Sequence, residues 1–151
     1  MSKPTISLRE RALGYLSRRE YSYQELKHKL SAYAEEQDDL SGLLEDFKKR
    51  GWLSEERYTE QLVHARKAKF GSLRVAHELR EHGVAEELVA KAVAEVKSDE
   101  VANARAIHRK KFKAAPANRE EWAKQARFLQ GRGFSFEVIK QVLRDDPDET
   151  D

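Results

Sequence analysis

Arg105, Arg109 and Lys113 recur at every fourth position, with Lys110 and Lys111 between them, a spacing that stacks cations along one face of a helix. A second basic set, Arg66, Lys67, Lys69 and Arg74, surrounds Phe70-Gly71-Ser72. Cations repeated along a surface, with no base-reading pattern among them, suit phosphates bound without regard to sequence. The plainer reading is a solvated helix face in the first case and, in the second, a helix C-terminus whose negative pole favours cations. The charge distribution favours a polyanionic partner. Eleven Lys and Arg between residues 105 and 144 face only Glu120, Glu121 and Glu137, although the whole chain carries a net charge of just +2. Asp145, Asp146, Asp148, Glu149 and Asp151 follow without a basic residue among them, an acidic tail able to screen such a surface or compete for it.

Residues suited to catalysis do not converge. The histidines 28, 64, 77, 82 and 108 form no ligand set, and His77 and His82 are five positions apart, so they do not stack on one helix face. The metalloprotease motif, the Gly-rich phosphate loop and the nucleophile elbow are missing from the sequence. Carboxylates are abundant, but pairing with Lys and Arg along helices accounts for them. No catalytic residue, metal site or cofactor is expected, and any nucleotide hydrolysis should belong to a partner. With no cysteine the chain has no disulfide or thiolate site, and it carries no apolar run of bilayer length and no signal-peptide core in residues 1–11. A cytoplasmic protein without membrane contact is the expectation.

The elements that must carry these cations are helices. Pro occurs only at positions 4, 116 and 147, Ala, Leu, Glu, Lys, Arg and Gln dominate, and no alternating β-branched run occurs. One punctuation mark returns three times, as Phe47-Lys48-Lys49-Arg50-Gly51-Trp52, Leu79-Arg80-Glu81-His82-Gly83-Val84 and Leu129-Gln130-Gly131-Arg132-Gly133-Phe134. Each copy reads as a last helical turn with a basic residue, a Gly C-cap and an apolar contact beyond it. Ser22 to Glu25 fits a capping box, and Ser54 and Asn118 are placed as N-caps. Helix starts near 5, 22 and 38, then 54, 72 and 85, then 98, 118 and 135 repeat at intervals of about 44 to 50 residues. The expected fold is all-α, three tandem three-helix repeats in an elongated, curved array, divided as 1–53, 54–97 and 98–144, with a disordered acidic tail over 145–151. Tyr58, Phe112 and Trp122 lie on apolar stripes and are expected in the core rather than as base-stacking platforms.

Four stretches in order, Tyr21 to Leu30, Gly51 to Tyr58, Lys69 to Ser72 with Glu78 to Val84, and Phe128 to Phe134, resemble the RecX family of bacterial regulators. The resemblance covers nearly the whole chain, is weakest in the third unit, and does not extend past Arg144. It implies a non-catalytic cytoplasmic protein that binds the RecA recombinase and its filament on single-stranded DNA, lodges in the filament groove and opposes filament growth. Recombinase, ATPase and SOS co-protease activities would then be inhibited. It also implies weak, sequence-independent contact with single-stranded DNA, and a monomer is expected. The nine basic residues named above would meet DNA or an acidic RecA surface. Two other classes remain open on the residues alone. A helix-turn-helix repressor would usually act as a dimer on paired half-sites, which three similar units fit poorly. A helical-repeat adaptor or non-specific DNA-binding protein would need no RecA at all.

Overall fold

The three Gly punctuation marks fold alike. In the computed structural model, which describes residues 6–143, Gly51, Gly83 and Gly133 all take positive φ, at 76°, 74° and 89°. Each closes the same pair of bonds. The Gly N–H reaches the carbonyl three residues back, and the next N–H reaches five back, as in Trp52 to Phe47 at 2.9 Å, Val84 to Leu79 at 3.0 Å and Phe134 to Leu129 at 3.2 Å. This is the Schellman closure, which needs a left-handed residue and so selects Gly.

Between these stops lie eight helices among the described residues: α1 Leu8–Leu16, α2 Tyr23–Ser31, α3 Leu40–Lys49, α4 Glu55–Arg66, α5 Ser72–Glu81, α6 Glu86–Lys111, α7 Arg119–Gly131 and α8 Phe136–Leu143. The fold is all-α. The capping box forms as read, with Ser22 Oγ accepting from Glu25 N–H and Glu25 Oε1 from Ser22 N–H. Ser54 and Asn118 cap α4 and α7.

Three separate buried clusters follow the chain. Leu26, Leu30, Leu44 and Phe47 centre the first, Val63, Val75, Leu79 and Val89 the second, and Ala104, Leu129, Phe134 and Ile139 the third. Tyr58 is buried as expected, whereas Trp122 is only half-buried against the third cluster and Phe112 is half-buried against His108 and Phe128. Arg144 and the acidic run 145–151 lie outside the described residues.

The helix start expected near Ser98 does not form. α6 runs unbroken from Glu86 to Lys111, serving the second cluster through Val89, Ala92 and Val96 and the third through Ala104. Neither Gly nor Pro interrupts residues 86 to 111. The Ser98 hydroxyl, read as a cap, instead donates back to the Glu95 carbonyl at 2.7 Å, which a serine within a helix can do without ending it. The division between residues 97 and 98 therefore falls inside a helix shared by two units.

Candidate nucleic-acid interface

The last two turns of α6 carry Arg105, Arg109, Lys110 and Lys111, all exposed, with Arg105 and Arg109 one turn apart on one face and Lys111 at the helix end above the line of Ala104 and His108. The helix is fixed by burial of Ala104 and His108, whose Nε2 lies 2.6 Å from Gln125 Oε1 on α7. Arg105 also donates to the Gln141 carbonyl at 3.3 Å, tying the face to α8. Lys113 leaves it. The helix ends at Lys111, and Phe112 turns extended at φ −121°, ψ 135°, so the four-residue spacing no longer places Lys113 above Arg109.

Of the second set, Arg66 is held by Glu78 through two bonds, Nε to Oε2 at 3.0 Å and Nη2 to Oε1 at 3.1 Å. Those bonds raise the guanidinium pKa further and largely neutralise its charge. Lys67 caps α4, and its carbonyl accepts from Asn103 Nδ2 at 3.1 Å. Lys69 is exposed, and its carbonyl faces Arg132 Nη1 at 3.5 Å. Arg74 stands over an aromatic ring, with Cζ 4.0 Å from the Phe70 centroid.

The two basic segments are brought together by a tight seam. Gly71 N–H donates to the Arg132 carbonyl at 2.8 Å and Leu73 N–H to the Gly133 carbonyl at 3.1 Å, so the start of α5 sits on the turn after α7. A Cβ on Gly71 would fall 2.4 Å from the Gly133 oxygen, which makes glycine a requirement of this approach. Glu100, buried on α6, supplies the cap that Gly71 lacks by accepting from Ser72 N–H at 2.8 Å.

Arg132 is the residue that sequence reasoning missed. Its guanidinium stands 5.6 Å from the centroid of the Phe70 ring and 5.4 Å from that of Phe128, and Lys111 Nζ is 5.8 Å from the Phe128 centroid. Phe112 meets Phe128 edge-on at 5.4 Å. Arg74, Phe70, Arg132, Phe128 and Lys111 thus form an alternating track of cations and rings joining the two segments. In sequence Arg132 was one basic residue in a helix-ending motif; the local signal was Phe128 four residues before it, where Arg50 and His82 have Asp46 and Glu78, while the contact with Phe70 had no local signal.

Residues 54–93 match the model for the second three-helix domain of RecX, and residues 98–143 match that for the third. The regulatory protein RecX of Herbaspirillum seropedicae is 45% identical over 144 residues, spanning 95% of this chain and 94% of that protein. The chain belongs to the RecX family. The regulatory protein RecX of Chromobacterium violaceum is 42% identical over 91% of this chain and 89% of its own length. The crystal structure of RecX from Lactobacillus salivarius shares the fold, with a TM-score of 0.78 over 91% of this chain and 92% of that one at 18% identity. In RecX terms, Phe70 and Arg74 belong to the second domain, and Lys111, Phe128 and Arg132 to the third, so the track crosses from one domain to the next.

Proposed function

We propose that this chain is a non-catalytic regulator that binds RecA and RecA filaments on single-stranded DNA, limiting filament growth and lowering recombinase, ATPase and SOS co-protease activity. The observation that carries the reading is kinship with proteins named regulatory protein RecX along nearly the whole chain. The physical arrangement supports it: Arg74 of the second unit and Lys111 and Arg132 of the third are joined through Phe70 and Phe128, offering several contacts to an extended polyanion such as a nucleoprotein filament. The residues proposed to make these contacts are Lys67, Lys69, Arg74, Arg105, Arg109, Lys110, Lys111 and Lys113, with Arg66 already held by Glu78. Among the described residues no helix is long and apolar enough to cross a membrane, and none of their acidic or histidine side chains cluster as a metal site. A cytoplasmic, monomeric protein acting through the partner's chemistry fits this reading.

The experiment is RecA's DNA-dependent ATPase on circular single-stranded DNA, followed over time with substoichiometric amounts of this protein. Decay of hydrolysis at low ratios is the expected outcome, because a molecule that stops filament growth affects many subunits. Unchanged hydrolysis at equimolar protein removes RecA regulation as the function.

A further inference from the structure

We infer that Arg74 and Arg132, backed by Phe70 and Phe128 at the seam between the second and third units, form a grip for the phosphodiester backbone of single-stranded nucleic acid. The inference deepens the proposed role by assigning the DNA contact to a specific place.

The first argument is how the arginines are partnered. Arg50 and Arg9 share Asp46, Arg57 meets Glu20, Arg66 meets Glu78, and Arg80 meets Glu86, all at 2.7 to 3.2 Å. Arg74 and Arg132 differ from these, as does Arg11, whose guanidinium lies 3.7 Å from the Tyr33 ring in the first unit, but only Arg74 and Arg132 share one ring without a carboxylate. Among the described residues neither has a carboxylate within ion-pair distance, and both guanidiniums lie against rings instead. A ring leaves the full positive charge available, whereas a carboxylate offsets it. Glu78 and Glu81 line the same groove as Arg74, but Arg66 occupies the first and His77 Nε2, at 3.1 Å, the second.

The second argument is pre-organisation. A guanidinium is planar by delocalisation and carries a rigid fork of N–H donors that can grip a phosphate through two bonds, and contact with a ring reduces the rotamer freedom lost on binding. Arg132 is steadied further by the Lys69 carbonyl, and this contact uses one fork N–H and leaves the others open. The backbone enforces the pairing. Gly133, at φ 89°, has the space where its Cβ would stand filled by Arg74 Cβ only 2.3 Å away. Two arginines remote in sequence can therefore share the Phe70 ring. Phe70 and Phe128 are only half-buried, and their uncovered edges offer sequence-tolerant stacking to unpaired bases, which a duplex does not present.

The test measures anisotropy of a fluorescein-labelled oligothymidylate with the full chain across a salt series. Each phosphate contact to a single strand contributes about 0.7 to the steepness of log K against log salt. R132Q and R74Q should each flatten that slope by about this amount and weaken binding roughly tenfold at about 50 mM salt. R132K, which keeps the charge, should retain the wild-type slope, and R57Q, which removes a cation already paired with Glu20, should also retain it. Circular dichroism melts identify a variant that fails to fold, and since R74Q and R132Q lie on different helical units, one remains informative if the other fails. Wild-type slopes in both R74Q and R132Q overturn the inference, as does failure of the native protein to bind the oligothymidylate at low salt. The RecA ATPase assay separates this from the proposed function. Filament inhibition by a native protein that ignores free oligothymidylate sinks the grip and leaves RecA regulation standing. Loss of inhibition in R132Q with an unchanged oligothymidylate slope assigns the pair to an acidic protein surface and likewise overturns the grip. A flattened slope in R132Q when the native protein does not inhibit RecA supports the grip and removes the regulatory role.

Discussion

At the scale of single residues, the decisive partnerships are those made across the fold. Arg66 looked like a free cation in sequence because Glu78 is twelve positions away, and only the packing of α5 on α4 brings them together. Arg132 gains its place from Phe128, four residues back on its own helix, and from Phe70 across the seam. Glu55 is a third case. It opens α4, yet its Oε1 accepts the Tyr23 N–H at 2.6 Å and so caps α2, while Oε2 is buried without a partner. Burial pushes this carboxyl above its ordinary value of 4.5, with the Tyr23 N–H and Lys48 opposing. A raised folded-state pKa means the native protein binds the proton more tightly than the unfolded chain. Its contribution to stability is therefore fully present below about 4.5 and lost as pH rises through the folded value. E55Q, which does not titrate, should gain on the native protein across that window in urea midpoints taken at a series of pH values. Parallel pH profiles would show that Glu55 is not perturbed by folding.

Secondary-structure elements were largely legible where their signals are local. The Gly stops and the Ser22, Ser54 and Asn118 caps involve groups within five residues, so residue type and spacing specify them. Two features were not legible for the opposite reason. Ser98 has the residue type of a cap, but whether a serine caps or bonds backward depends on whether the helix before it stops, and the buried faces on both sides keep it going. Glu100 reads as one more surface acid, yet it is 3% exposed and caps α5 from α6. E100A should strand the buried Ser72 N–H and cost about 1–3 kcal/mol in urea unfolding. E100Q, which keeps an acceptor oxygen, should lose less. An E100A variant as stable as the native protein would show that water satisfies Ser72 and that the cap contributes nothing. G71A tests the other half of the seam, since a methyl group there meets backbone rather than a movable side chain. It should lower the melting temperature and reduce oligothymidylate binding together, because separating Gly71 from Arg132 opens the grip. A drop in stability with unchanged binding would uncouple the seam from the site.

For the whole molecule, the two junctions between units are built differently. The first unit meets the second through Glu20 and Arg57 at 2.9 Å, the Glu20 N–H and Gln61 at 3.2 Å, and the Tyr23 N–H on Glu55. The second and third share α6 itself, with Val96 buried in one cluster and Ala104 in the next, and backbone bonds at the Gly71 seam reinforce the join. In a linear array, cooperativity depends on such interfaces, so units 54–97 and 98–143 should unfold as one body. Ser98 is the place to test this, being exposed and midway between the clusters, so that its replacement removes no core contact. S98P should cost about 3 kcal/mol or more by breaking the helix ladder. More tellingly, it should separate the units: hydrogen exchange should report one opening free energy for the amides of Val89 and Ala104 in the native protein and two in S98P. If the two amides still exchange together in S98P, the Gly71 seam alone couples the units and continuity of α6 is not required. Two free energies already in the native protein would mean that α6 opens locally between the clusters. The grip at Arg132, which needs both units in register, would then be available to DNA only part of the time.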